Sequence, residues 1–365
     1  MPSNVERVLI VHPFGIGDAL FMTPVIRALN EQGAKKVDLF LGSRTQELFR
    51  HNPFVSEIFV MDHNQLKNKT FFERMAETGR LLKSLRKNHY DTLIDLSSLR
   101  EYAFWAAFFV GIPRRVGFDY KNRGIFLTHR LPLERSFEKK HVIEYYIDLL
   151  RLLSVPTRQK TLQLFISEES IVEANRILKE AEVSEPFIAV APGGGESWGR
   201  DARLKRWPVQ FFSELIQKIE SGSQGMKVVI LGGKNEWELG ESLRKLSPAL
   251  FHNLAGKLSL LGSAAVLKRA RLLIANDGGL VHMASAVGTP VAALFGPVDP
   301  AVYGPYPEDA KKVAIVNDGP ECRPCYQNMR YQADCEHVNC LNTLFPDKVF
   351  KELDHRGFLK SLVRK

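Results

Sequence analysis

The sequence predicts two α/β domains in tandem, each built from parallel strands in the Rossmann manner. Three observations carry this expectation. Short β-branched runs alternate with helical patterns from the first residues onward, which is the signature of βα units. The rhythm pauses over residues 154–186, a stretch holding Pro156 and Pro186, and then restarts. The length, 365 residues, suits two domains at roughly 100–200 residues each.

In order, Val8–Val11 reads as a buried strand, Ala19–Asn30 as a helix after a glycine turn, and Val37–Leu41 as a second strand. Phe72–Lys87 has helical spacing, Thr92–Asp95 is a further strand, Arg114–Phe118 and Ile125–Thr128 are short extended pieces, and His141–Leu153 is a helix. The connection carries a strand-like Leu162–Ile166 and an acidic helix. Beyond it, Phe187–Ala191, Lys227–Leu231, Leu272–Ala275, Val291–Phe295 and Lys312–Val316 are strands. Helices fit between them at Val209–Ile219, Glu236–Leu246, Ser259–Arg269 and Leu280–Val287. A last helix, Asp347–Leu362, could pack on either half. The expected division is 1–165, a linker over 166–186, a second domain over 187–346 with a cysteine-rich segment at 322–340, and a C-terminal helix over 347–365.

Composition excludes disorder and fibrous repeats: 45% of residues are hydrophobic and 25% charged. The net charge of +9 is uneven, because residues 1–165 hold 25 Lys and Arg against 17 Asp and Glu. That excess points to an anionic partner for the first half, with a solvated basic face as the alternative. The N-terminus lacks the apolar core of a signal peptide, and the apolar run Tyr102–Ile112 is about half the length a spanning helix needs. A cytoplasmic protein is expected. The run reads first as a core helix and second as a contact with the inner membrane face.

In parallel sheets ligands bind beyond the carboxyl ends of the strands, so loops directly after strands are where chemistry is sought. The first is Phe14-Gly15-Ile16-Gly17-Asp18, whose glycines permit a tight turn and whose Asp18 either caps the following helix or faces a cleft. The second is Pro192-Gly193-Gly194-Gly195, followed by Lys205-Arg206-Trp207-Pro208 at the next helix start; backbone N–H groups with cations beside them suit a phosphate, unless the loop is only a solvated basic segment. The third is Asn276-Asp277-Gly278-Gly279-Leu280-Val281-His282. Here Gly278 and Gly279 open a helix N-terminus to an anion, Asp277 suits a sugar hydroxyl, and His282 is either structural or directed at the same strand ends. The fourth is Gly232-Gly233-Lys234-Asn235-Glu236, which is not a Walker A loop; Glu236 either receives a ribose or base group or is the first-turn acid favoured by the helix dipole.

All four cysteines fall in one stretch, Cys322-x2-Cys325-x9-Cys335-x4-Cys340. The first pair has the spacing of a zinc knuckle, so a structural zinc competes with local disulfides or free thiols.

Taken together, Gly17-Asp18, Lys205-Arg206-Trp207-Pro208, Asp277-Gly278-Gly279-Leu280-Val281-His282 and Gly296-Pro297-x-Asp299-Pro300 resemble glycosyltransferase family 9, the lipopolysaccharide heptosyltransferases. Their order and spacing match over about residues 8–345, and Gly111-Ile112-Pro113-Arg114-Arg115-Val116-Gly117-Phe118 looks like that family's first-domain segment. The resemblance implies a GT-B fold of two facing Rossmann-like domains, with an acceptor site on the first and an ADP-sugar site on the second. It implies Asp18 as general base in an inverting, metal-independent transfer, and Lys205 against the donor phosphates. Gly278 and Gly279 would stabilise the leaving phosphate, and Asp277 and His282 would contact the donor. Gly193, Gly194, Arg206 and Glu236 join the donor side. Gly15, Gly17, Arg114, Arg115, Lys121, Arg123 and Arg130 are acceptor-side candidates, suited to an anionic glycolipid such as a lipopolysaccharide core. No cofactor beyond the nucleotide-sugar substrate is implied. Competing readings are a GT-B enzyme using a UDP- or GDP-sugar, a nucleotide-sugar epimerase, and a non-catalytic glycan binder. Nucleic acid is disfavoured because the basic residues are dispersed and no recognition module is present.

Overall fold

The computed structural model describes residues 5–61, 69–222, 226–248, 250–309, 311–317, 320–327, 330–331 and 335–361. The expected extent of the last helix beyond residue 361 lies outside them. The chain divides into two compact units, Met1–Thr161 and Leu162–Lys365.

The first unit holds a six-stranded sheet of β1 (Arg7–His12), β2 (Lys36–Gly42), β3 (Glu57–Met61), β4 (Thr92–Asp95), β5 (Arg114–Tyr120) and β6 (His129–Leu133), in the order β3-β2-β1-β4-β5-β6. Every pairing is parallel. Helices Thr23–Glu31, Phe71–Arg86 and Val142–Leu152 accompany it. The central strands are apolar and buried along nearly their whole length, as parallel strands covered on both faces must be.

The second unit repeats the plan with β7 (Phe187–Ala191), β8 (Lys227–Ile230), β9 (Phe251–Asn253), β10 (Leu273–Asn276), β11 (Val291–Phe295) and β12 (Lys312–Val316), in the order β12-β11-β10-β7-β8-β9. These pairings are parallel as well. In both sheets the unit's first strand is central and the chain direction across the sheet reverses beside it, between β1 and β4 and between β7 and β10. Such switch points leave a crevice at the strand ends, because the helices after the two strands depart to opposite faces. In register, Val11 faces Asp95 and Ala191 faces Ala275.

Several expectations are corrected. Leu162–Ile166 joins no ladder. In place of an extended Ile125–Thr128 there is a tight helical turn, Arg123–Phe126, and the strand begins at His129; β6 is an edge strand, where Pro132 is tolerated. The strands β3 and β9 gave no usable signal, one having mixed burial and the other only three residues. The C-terminal helix spans Pro346–His355, ends sooner than its pattern suggested, and packs on helix Val209–Glu220 of the second unit, where Val349 and Leu353 join the core with Trp207 and Phe212. The run Tyr102–Ile112 is only half core: helix Arg100–Trp105 passes into a π-turn, Ala106–Val110, with Phe108 and Phe109 exposed.

Candidate active site

In the second unit the loop after β7 packs so closely that side chains are excluded. A Cβ on Gly193 would lie 1.8 Å from Glu236 Oε1, and one on Gly194 would lie 2.1 Å from the Ala202 carbonyl oxygen. Glu236 is the reason for the first contact. Its Oε2 accepts from the Gly233 N–H at 2.9 Å and its Oε1 from the Gly195 N–H at 3.4 Å, so one carboxylate ties the loop after β7 to the loop after β8.

The loop after β10 is tied in from the other side. Asn276, the last residue of that strand, accepts from the Trp207 N–H at 3.1 Å and donates to the Pro192 carbonyl at 2.7 Å. It therefore holds the Lys205–Pro208 segment against the glycine loop. Trp207 is itself anchored, its indole N–H donating to the Leu344 carbonyl at 2.7 Å. Lys205 is 3% exposed and its Nζ meets Asp277 Oδ2 at 2.5 Å, Asp277 being 5% exposed. Gly278 stands at the N-cap of helix Gly279–Val287, and His282 is buried in its first turns. The first N–H groups of a helix have no intrahelical acceptor and carry the positive end of its dipole.

A small hairpin, Tyr326–Gln327 against Arg330–Tyr331, adjoins this loop. Burial and the charge of Asp277 hold the Tyr331 hydroxyl well above the ordinary tyrosine range. The hairpin is fixed to the loop after β11, because the Pro297 carbonyl accepts from the N–H groups of Cys325 at 3.0 Å and Tyr326 at 3.2 Å, and the Gly296 carbonyl from Arg323 Nε at 2.5 Å.

Of the readings open for the four cysteines, disulfides are not formed: all four are free thiols, and among the described residues no three His, Cys, Asp or Glu side chains are grouped to hold a metal ion. Cys340 packs in the apolar core and burial pushes its thiol up to about 11, whereas Cys322 is exposed.

In the first unit, β1 ends at His12 and Gly15 is the N-cap of the short helix Ile16–Leu20. Asp18 sits in its first turn, half-buried. Its charge, with burial, holds the Tyr146 hydroxyl far above the ordinary range, so the phenol stays protonated beside it. Tyr146 Oη lies 3.3 Å from His12 Nε2. Burial lowers His12 to about 4, leaving the imidazole neutral at pH 7. Asp95, at the end of β4, is pushed up to about 7 by burial, although Ser97 donates its N–H at 2.9 Å and its hydroxyl at 2.5 Å to Oδ1.

The basic candidates of this unit are partly engaged. Arg115 donates to the carbonyls of Phe126 at 2.7 Å and Ile112 at 2.6 Å, Arg130 pairs with Asp119 at 3.2 Å, and Lys121 and Arg123 lie over the Tyr120 ring at 4.9 and 5.5 Å. Arg114 is half-buried at the start of β5. Sequence reasoning passed over His12, Asp95, Tyr146, Asn276 and Tyr331. Asn276 and Asp95 were open to detection, since each is the terminal polar residue of an otherwise apolar strand.

A family model described as glycosyltransferase family 9 (heptosyltransferase) matches residues 78–333. The chain belongs to glycosyltransferase family 9. The lipopolysaccharide heptosyltransferase 2 of Escherichia coli K12 is 25% identical over 363 residues, covering 95% of this chain and 97% of its own length. Among solved structures, E. coli ADP-heptose lps heptosyltransferase II superposes with a TM-score of 0.73 at 24% identity, over 97% of this chain and 99% of that one. E. coli heptosyltransferase WaaC with ADP gives 0.71 at 21% identity, over 96% and 100%. This family 9 chain is therefore a glycosyltransferase of the GT-B fold.

Proposed function

We propose that this protein moves heptose from ADP-heptose to a hydroxyl of a lipopolysaccharide core or related glycolipid, with inversion at the anomeric carbon and without a metal ion. The observation that carries the reading is the buried Lys205–Asp277 pair at the carboxyl end of β10, beside the first N–H groups of helix Gly279–Val287. A buried cation at a helix N-terminus is built for an anion, and the matched relatives are heptosyltransferases by name, one of them solved with ADP.

On this reading Lys205 and Arg206 face the diphosphate, and the N–H groups of Gly278 and Gly279 take up charge on the departing phosphate oxygen, the work a metal would otherwise do. Asp277 and His282 contact the donor sugar and diphosphate. The loop of Gly193 and Gly194, held open by Glu236, receives the nucleotide. Asp18 removes the proton from the acceptor hydroxyl as that oxygen attacks the anomeric carbon and ADP leaves from the opposite face. Tyr146, held protonated, and the neutral His12 adjoin this crevice. Gly15 and Gly17 let the acceptor approach the backbone, and Arg114, Arg115, Lys121 and Arg123 supply cations for an acidic glycolipid.

Calorimetric titration of the purified protein with ADP, UDP, GDP and ADP-heptose tests this directly. The expected result is that ADP-heptose binds more tightly than ADP while UDP and GDP give no heat. A preference for UDP or GDP would overturn the donor assignment and move the reaction to another nucleotide sugar.

A further inference from the structure

Asp18 and the glycines beside it take part in the proposed transfer, but the first residue of their loop, Phe14, has no part in it. Its ring is 43% exposed. A single exposed apolar side chain is ordinary on a protein surface. Position is what sets Phe14 apart. Phe71, Phe72 and Met75 are exposed on helix Phe71–Arg86, and Phe108 and Phe109 on the π-turn Ala106–Val110. Phe14 instead lies in the short loop between β1 and helix Ile16–Leu20, at the carboxyl end of the strand that flanks the switch point. In a parallel sheet that is where ligands are received.

The ring is held from beneath. It meets the His12 imidazole edge to face, with centroids 5.6 Å apart and planes at 87°, a contact that occupies at most one face of the phenyl ring. His12 is fully buried, and its Nε2 lies 3.3 Å from the Tyr146 hydroxyl. Tyr146 is in turn set against Phe118 and Phe137, its ring centroid 6.2 Å from each. The backbone is fixed as well. A Cβ on Gly42 would lie 2.7 Å from the Pro13 carbonyl oxygen, so the loop presses on the end of β2. On the other side the Gly15 carbonyl accepts from the Ala19 N–H at 3.0 Å. Phe14 therefore presents an ordered aromatic surface four residues before Asp18.

His12 is an unfavourable choice for a mere packing residue. Its Nδ1 is buried and meets no hydrogen-bond partner among the described residues, a desolvation cost that an apolar side chain at the same place would not carry. Local departures of this kind gather where a ligand must be served. Burial lowers its pKa to about 4, so the support under Phe14 stays uncharged at pH 7.

The chemistry of the surface selects a class of ligand. A phenyl ring has a negative face and a positive edge. A pyranose ring is its complement, because the C–H bonds on one of its faces are apolar and weakly positive while its hydroxyls project from the rim. Stacking the two buries the apolar face of the sugar and leaves the rim hydroxyls available, one of them to Asp18. A lipid chain would need a longer apolar surface, whereas the residues that follow Phe14 are Gly15, Ile16, Gly17 and Asp18.

We propose that Phe14 is the stacking platform for the acceptor sugar and determines which pyranose ring is presented to Asp18. The inference rests on the reading of this crevice as the acceptor site. Phe14 binds and orients the ring and takes no part in proton transfer.

The test is a transfer assay with ADP-heptose and a panel of truncated, fully deacylated lipopolysaccharide cores, read as separate kcat and KM values for each substrate, beside calorimetry of each core alone. Deacylation removes any contribution of lipid chains. Phe14→Ala should raise the acceptor KM roughly 10-fold, while kcat and the ADP-heptose KM stay within about twofold. Phe14→Tyr and Phe14→Trp should keep the acceptor KM within about twofold of the parent, and Phe14→Leu, which has bulk but no π face, should remain at least about fivefold impaired. An unchanged acceptor KM in Phe14→Ala, or a loss confined to kcat, overturns the proposal and leaves the transfer reading in place. Full activity of Phe14→Leu overturns it too, since the contact would then be apolar without being aromatic. So does a parent protein that binds none of the cores. If the cores bind and Phe14→Ala weakens them while ADP-heptose donates no sugar, the donor assignment falls and the platform stands.

Discussion

The two switch points share one strand order and differ in how they handle charge. At the end of β10 the second unit keeps a full ion pair, Lys205 with Asp277, inside a shell where Asn276 and Glu236 tie three loops together. At the ends of β1 and β4 the first unit shifts its buried groups toward their neutral forms, with His12 lowered to about 4, Asp95 raised to about 7 and Tyr146 held protonated. Topology placed both crevices; the side chains gave one an ion pair and the other groups biased against charge. A site for a diphosphate gains from the first arrangement, because fixed dipoles and cations need no reorganisation. A crevice biased against charge suits the proposed transfer, in which Asp18 takes the proton of the acceptor hydroxyl.

That contrast can be broken most severely at Asp18. Asp18→Asn should lower turnover by about 10²–10⁴ while ADP-heptose affinity changes by less than about threefold, as read by calorimetry beside a transfer assay. Survival of turnover within a few-fold would remove Asp18 as the base. Lys205→Ala should act on the other crevice, leaving Asp277 buried and uncompensated; a loss of about 3–5 kcal/mol in stability and a marked loss of donor affinity are expected, by denaturant titration and calorimetry. If donor affinity is unchanged, the fixed charge serves the fold alone.

The two shifted groups of the first unit predict opposed slopes of stability with pH. His12 is lowered from its ordinary 6.5, so its contribution is full above that value and is lost as pH falls toward 4. Asp95 is raised from its ordinary 3.8, so the folded state is favoured below that value and loses ground as pH rises toward 7. Each spans on the order of 3–4 kcal/mol, and in the parent protein they largely cancel between pH 4 and 7. Asp95→Asn should therefore unmask a decline on acidification, and His12→Gln a decline on raising the pH, by thermal or urea unfolding across that range. The smallest effect is expected at Asn276. Asn276→Ala leaves the buried Trp207 N–H without its acceptor, for about 1–3 kcal/mol, and should weaken donor binding only through the displaced glycine loop.

Much of this was legible in the chain itself. The glycine pairs after strands and the Lys205–Pro208 and Asp277–His282 segments stand out because glycine is required where backbone must come close, as Glu236 does at Gly193. Asp95 shows in the sequence as the polar end of a strand, but its environment was hidden, because it comes from chain more than 80 residues away in β1. The cysteine spacing reports which donors could converge and not that Cys340 also packs in an apolar core. The run Tyr102–Ile112 misled: its apolar residues are nearly continuous, and only the π-turn at Ala106–Val110 decides which of them face outward.

The sequence by itself determined the βα rhythm, the pause between two units, the loops that bear glycine and charge, and the excess of cations in the first unit. These are local properties, set by side-chain size, backbone freedom and periodicity within a few residues. The tertiary structure alone decided the strand order that sets β4 beside β1 and β10 beside β7. It also decided the meeting of Lys205 with Asp277, the titration of His12 and Asp95, and the exposure of Phe108 and Phe109. The reason is physical: burial and electrostatic environment depend on contacts between residues far apart in the chain, and no local pattern records which distant strand will lie alongside.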